Sequence, residues 1–346
     1  MTAPTLSPHI ASHPKAELHL HLEGSIQPAT ARNLMACHGV DTTEQEVRQR
    51  YALRNFPEFL ETFKWLTSFL REPQDYALVA TDLGEQLLAQ NVVYAEVTLS
   101  VGVMLLRKQQ PEKNFAALLR AVEPFEHRGL RFRWIFDAVR QFGTEAAMAV
   151  VEAARNCGSK EIVGFGIGGD ELQVPTAEFR GVYDRAAEFG LHRLIHAGEV
   201  GGSEKIREAI ELLGVERIGH GIAAIKDPAL MDLLAQRKIP LEICPQSNIK
   251  TGALSRLLAR DGAQIEDHPL PKLFRHGIPV VLSTDDPALF DTTLHAEYTN
   301  AARMGLQENE LEQICQMSFQ YAFHPAARSR PLYGRPSEAD RSSDSV

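Results

Sequence analysis

The sequence predicts an α/β chain closed into a single (β/α)8 barrel, on three observations. Eight short β-rich runs alternate with amphipathic helical stretches. No Gly-rich phosphate loop follows the first run, as an open doubly wound sheet would usually carry. His or Asp stands at the ends of four of the runs, where a barrel gathers its chemistry at one mouth. A length of 346 residues exceeds the usual one-domain size of about 150, but barrels routinely run longer as one unit.

The β-rich runs fall at 16–22, 92–99, 130–139, 162–167, 192–197, 217–220, 240–244 and 279–284. Between them, apolar residues recur at helical spacing. Phe115, Leu118, Leu119 and Val122 form one stripe, and Ala146, Ala149, Val150 and Ala153 a second. Ile206, Ala209, Ile210 and Leu213 form a third, with Gly214 as its expected C-cap. Leu230, Leu233 and Leu234 follow, then Leu311, Ile314 and Cys315. Pro28 suits a first helical position. Alternation of this kind implies parallel strands joined by helical crossovers. The resulting division is an N-terminal arm at 1–14, one barrel domain at 15–325, and a polar, Pro-punctuated tail at 326–346 expected to be flexible.

Composition removes several function classes. With 44% hydrophobic and 23% charged residues the chain reads as globular, not disordered. A net charge of −9 without a basic run argues against nucleic-acid binding. No run of about 18 apolar residues predicts a membrane span. The first residues, MTAPTLSPHIASHPK, lack an apolar signal core, so the expectation is a cytoplasmic protein. Its four cysteines contain no C-x-x-C pair and read as free thiols.

The polar residues at the strand ends carry the chemistry. His19 and His21 are two apart on a strand, so both face one side. His196 ends the fifth run, and Glu199 lies three residues on, past a glycine. His220 ends the sixth, and Asp285 and Asp286 end the eighth. Alone, each has an ordinary explanation. A buried His can be a satisfied core residue, Glu199 can face a helix N-terminus, and Asp-Asp-Pro is good turn chemistry. Together, three imidazoles and a carboxylate suit zinc with a water as remaining ligand. Glu199 is then placed for a proton carrier beside the metal. Phe56, Phe59, Phe63, Trp65 and Phe69 form an aromatic cluster, read as helix packing, or as a lid over the mouth.

HLHLEG (19–24), HAGE (196–199), GHG (219–221) and STDDP (283–287) together resemble the adenosine deaminase family of metal-dependent hydrolases, from about residue 15 to about 325. The resemblance implies one zinc held by His19, His21, His196 and Asp285. Glu199 would protonate purine N1, His220 would orient the attacking water, and Asp286 would address N7. GIGGDE (166–171) resembles the segment that places Gly169 near N3. The implied substrate is a small 6-aminopurine nucleoside, converted to the 6-oxopurine plus ammonia. The chain departs from adenosine-specific members in two ways. Glu23 stands where they carry a shorter Asp against the ribose 5′-hydroxyl, and Gly166 where an Asp is often found. Glu23 leaves room for free adenine or a 5′-modified adenosine, and ALFDTTLHAEY (288–298) is more similar to nucleoside-acting bacterial members, among them enzymes acting on 6-amino-6-deoxyfutalosine, an intermediate of menaquinone synthesis. Adenine is the alternative substrate, and a mononuclear amidohydrolase acting on a non-purine the more distant one. Lys160 precedes the fourth run, at the wrong end to bridge two metals.

Overall fold

A computed structural model describes residues 6–324 and residue 327. The expected tail at 326–346 lies outside the described residues apart from Ala327. Eight strands are observed: β1 (Lys15–His21), β2 (Val92–Leu99), β3 (Arg131–Val139), β4 (Ile162–Gly168), β5 (His192–Ala197), β6 (Arg217–His220), β7 (Leu241–Ile243) and β8 (Val280–Leu282). They pair in sequence order, every neighbour parallel, with helices on the outside. Each lies within two residues of a run expected from the sequence. Parallel strands are covered on both faces, which is why these runs are nearly continuously buried and not alternating.

The barrel closes just beyond β8. The Asp285 N–H donates to the His19 carbonyl at 3.0 Å, and the His21 N–H donates to the Asp285 carbonyl at 2.8 Å. To make both bonds and then turn outward, Asp285 adopts φ +66°. His220, at the end of β6, has φ +60°. Such values are uncommon away from glycine and cluster at functional positions. The helix at Glu308–Gln320 packs against β8 and β1 and covers this seam.

The helical stripes hold with one exception. Phe115, Leu118 and Val122 are buried, as are Ile206, Ala209, Ile210 and Leu213, and Gly214 takes the left-handed cap at φ +61°. In the helix Gly143–Cys157 the buried residues are Ala147, Val150, Val151, Ala153 and Ala154. Val150 and Ala153 of the expected stripe are buried, Ala146 is half-buried and Ala149 is exposed, since alanines along a helix are interchangeable by hydropathy. The partly apolar helix at Pro28–Cys37 starts on Pro28. Among the described residues no helix is long and apolar enough to cross a membrane.

Candidate active site at the barrel mouth

The first and last strands bring His19, His21 and Asp285 together, and β5 adds His196. His21 Nε2 lies 3.3 Å from His196 Nε2 and 3.4 Å from Asp285 Oδ1, and His19 Nε2 lies 3.5 Å from that same oxygen. Ligands about 2.0–2.1 Å from a tetrahedral metal stand roughly 3.3–3.4 Å apart, and these three separations are close to that. The donor atoms that all lie within 4.8 Å of one another are those of His19, His196, His220 and Asp285, with His21, Asp285 and Asp286 as a second, overlapping group. Their other atoms are already committed. His19 Nδ1–H donates to Glu242 Oε2 at 2.7 Å, and His196 Nδ1–H donates to the Ile167 carbonyl at 3.3 Å. Ser247 Oγ–H donates to Asp285 Oδ2 at 2.7 Å. His19 Nε2 is buried without a hydrogen-bond partner, an orphan that a cation would satisfy.

His220 Nε2 also approaches, at 3.7 Å from Asp285 Oδ2 and 3.6 Å from Glu199 Oε2. Its ligand atom lies close enough to those of His19, His196 and Asp285 to form a metal group with them. The hydrogen-bond chain behind it argues for another role. The Leu270 N–H donates to His268 Nδ1 at 3.1 Å, so His268 carries its proton on Nε2 and donates to Asn248 Oδ1 at 3.1 Å. The Asn248 amide therefore donates to His220 Nδ1 at 3.2 Å. His220 must then carry its own proton on Nε2, as a donor towards the cluster and not a lone pair for a metal. Burial lowers its pKa to about 4, keeping it neutral.

Glu199 projects from the turn after β5. Glu171 shapes that turn by accepting from the N–H groups of Gly198, Glu199 and Val200 at 2.7, 2.8 and 2.8 Å. Burial, then the Asp285 and Glu171 carboxylates, push the Glu199 pKa up to about 8, against a hydrogen bond donated by Thr251 Oγ1 at 2.9 Å. Burial and the neighbouring Asp285 also raise Asp286 well above the usual carboxylate range. Its Oδ1 has no partner. Near neutral pH Glu199 holds a proton it can donate, and burial favours the protonated form of Asp286.

The motif glycines are matters of space. A Cβ on Gly24 would fall 1.8 Å from Asp286 Oδ1, and one on Gly219 would fall 2.7 Å from the His19 ring. Gly169 has φ +96°, and a Cβ there would meet Gln141 Oε1 at 2.4 Å.

These residues border a cavity of about 520 Å³. Its floor contains His21, His196, Glu199, His220, Asp285, Asp286 and Gly169. Glu23 does not line it: its carboxylate is buried behind the wall, Oε1 accepting from the Ser100 N–H at 2.9 Å. The aromatic cluster divides. Phe56, Phe59 and Phe63, on the helix Phe56–Thr67, form an apolar outer wall. Trp65 packs edge-on against Phe69 with ring centres 5.7 Å apart and lies under Arg50. Lys160 lies among residues at the opposite end of β4.

Sequence reasoning missed the supporting residues Glu242, Ser247, Asn248, Thr251 and Glu171, and the cavity residue Asp137. The signal for three of them was present. Ser247, Asn248 and Thr251 all follow the seventh strand, whose end carried no assigned residue.

Comparisons with known proteins identify the family and agree with the fold. The family model described as adenosine deaminase matches residues 14–337. The chain is 35% identical over 317 residues to an aminodeoxyfutalosine deaminase of Acidothermus cellulolyticus, covering 87% of each. It is 33% identical over 315 residues to an adenine deaminase of Streptomyces coelicolor, covering 90% of each. The crystal structure of an adenine deaminase from Arthrobacter aurescens superposes with a TM-score of 0.85 at 28% identity, covering 92% of this chain and 96% of that one. The chain belongs to the adenosine deaminase family, and is a hydrolytic deaminase acting on a C–N bond.

Proposed function

We propose that this protein is a zinc-dependent deaminase of a 6-aminopurine nucleoside, replacing the 6-amino group with oxygen from water and releasing ammonia. The observation that carries this reading is the His and Asp cluster flanked by two buried carboxyls, Glu199 and Asp286, both shifted by burial towards their protonated forms. His19, His21, His196 and Asp285 would hold the zinc, which when bound supplies a Lewis acid that makes water nucleophilic near neutral pH. A 6-aminopurine presents ring nitrogens N1, N3 and N7 as acceptors. Glu199 donates its proton to N1, drawing electrons from C6. Asp286 donates to N7, and the backbone of Gly169 meets N3. The His220 Nε2–H is aimed at the oxygen that adds to C6. Water supplies that oxygen and two protons. The amino group leaves as ammonia, and the purine retains a 6-oxo group and a proton on N1.

The substrate side is read from cavity size and wall. The cavity is much larger than a purine base, and Phe56, Phe59 and Phe63 offer apolar area to a substituent beyond the sugar. Burying apolar surface is worth about 25 cal/mol per Å². This supports a 5′-extended adenosine, in keeping with the aminodeoxyfutalosine deaminase among the relatives. The adenine deaminases among them support free adenine as the second reading. A panel of adenine, adenosine, 5′-deoxyadenosine and 6-amino-6-deoxyfutalosine, assayed for ammonia release, separates the two. The expected kcat/KM order is 5′-extended nucleoside, then adenosine, then adenine, with about one zinc per chain. Adenine ranking first overturns the nucleoside assignment, and two tightly held ions overturn the single-metal site.

A further inference from the structure

With N1 towards Glu199, N3 towards Gly169 at the end of β4 and N7 towards Asp286 beyond β8, the direction of N9 is no longer free. N9 lies between N3 and N7 on the far side of the purine from C6. Its substituent must leave over the arc formed by β1, β2 and β3. Along that arc the cavity is lined by His21, Ser100, Asp137 and Val139. Asp137 is the acid among them, and Glu23 stands behind the wall on the Ser100 N–H.

Asp137 also has space made for it. It lies opposite Gly166 in the β3–β4 register. A Cβ on Gly166 would come within 2.9 Å of Asp137 Oδ1, and one on Gly168 within 3.2 Å of Oδ2. Two missing side chains on one strand thus clear room for a carboxyl from the next. Asp137 is 5% exposed, and no lysine or arginine among the described residues makes an ion pair with it. A buried acid on an enzyme cavity wall, with His19 as its cationic neighbour and the Gly168 N–H as its backbone donor, keeps lone pairs free for a ligand's hydrogen bond.

We infer that Asp137 reads the sugar of the substrate by hydrogen-bonding a ribose hydroxyl, and so discriminates ribonucleosides from their deoxy analogues. This rests on the proposed orientation of the purine, and it assigns to β3 a specificity residue that none of the four strand-end motifs contains.

The test is a cycle between residue and hydroxyl. Wild type and Asp137→Ala are assayed on adenosine, 2′-deoxyadenosine and 3′-deoxyadenosine. Asp137→Ala should lower kcat/KM for adenosine by about 10–100-fold, chiefly through KM. For the analogue lacking the contacted hydroxyl it should change little, so the wild-type preference collapses. Asp137→Asn should recover part of the preference, and Gly166→Ala, which crowds Oδ1, should lose part of it. Calorimetric binding of inosine and its deoxy analogues should show the same pattern without turnover, and melting curves identify any variant that fails to fold. An equal fall on all three nucleosides, or none, overturns the assignment to the sugar. A folded, metal-loaded wild type that deaminates no 6-aminopurine overturns the functional reading itself, and this inference with it.

Discussion

The barrel interior holds two buried polar clusters one layer apart, and they differ in how charge is balanced. In the lower one Arg217 lies 2.6 Å from Glu96 and 2.5 Å from Glu242, and Tyr94 donates to Glu96 at 2.6 Å. The Phe323 N–H adds a further bond to Glu96 at 2.6 Å. The upper one contains Asp137, Glu199, Asp285 and Asp286, and the ion partners of Asp285 and Glu199 are histidines alone. Both are almost wholly inaccessible. Burial of ionisable groups therefore does not by itself mark a site. The lack of a lysine or arginine partner does, because carboxyls removed from water without one are driven towards their protonated forms. Glu242 joins the layers, with one oxygen on Arg217 and the other on His19 Nδ1.

If that contrast is right, substitutions in the two layers should fail in different currencies. The largest effect is expected above. Glu199→Gln keeps the shape of the side chain but has no acidic proton, and should lower kcat by about 10²–10⁴-fold. Metal content and melting temperature should stay near wild type. Near-normal turnover would show that Glu199 serves only the turn it sits on.

Below, Arg217→Leu leaves Glu96 and Glu242 buried without their cation. Breaking a buried pair in this way costs about 3–5 kcal/mol. Denaturant unfolding reads that loss directly. A variant of unchanged stability that has lost activity would merge the two layers into one catalytic unit and end the comparison.

The smallest effect sharpens the upper layer. The Thr251 hydroxyl favours the charged form of Glu199, whose pKa stands at about 8. Glu199 is active while protonated, so kcat/KM should fall as pH rises through that value. Thr251→Val removes the donor to the carboxylate, raises the pKa and moves the alkaline limb to higher pH, leaving the plateau below it unchanged. A limb that stays in place detaches it from Glu199.

What was legible in the sequence follows the same division. Most of the strands showed because they are buried on both faces and rich in apolar residues, as in β2, β3 and β4; β5 (HRLIHA) and β6 (RIGH) showed through their place between helical stretches. The mouth residues showed because His, Glu and Asp at strand ends have few structural uses. Asp137 did not, since one Asp inside FRWIFDAV reads as part of a strand until the register sets it against Gly166. Glu23 was visible in the HLEG motif, but not its surroundings: Oε1 accepts from the Ser100 N–H, 77 residues on, and Oε2 is buried without a hydrogen-bond partner. The tautomer of His220 was out of reach of any pattern, because it is decided through Asn248, His268 and the Leu270 N–H.

Asp285 both presents a carboxylate to the cluster and, through its backbone, closes the barrel between the first and last strands. Selection therefore cannot adjust the two independently. A change that reshapes the ligand also loosens the last joint of the wall, and a change that loosens the joint moves the ligand. The same coupling would run towards assembly of the protein: an ion held by the cluster would tie the segment just beyond the last strand to the first, and would favour the closed wall by mass action. An ion bound there would thus couple loading to closure, and the expected sign is seam amides that exchange faster in metal-free protein than in metal-loaded protein.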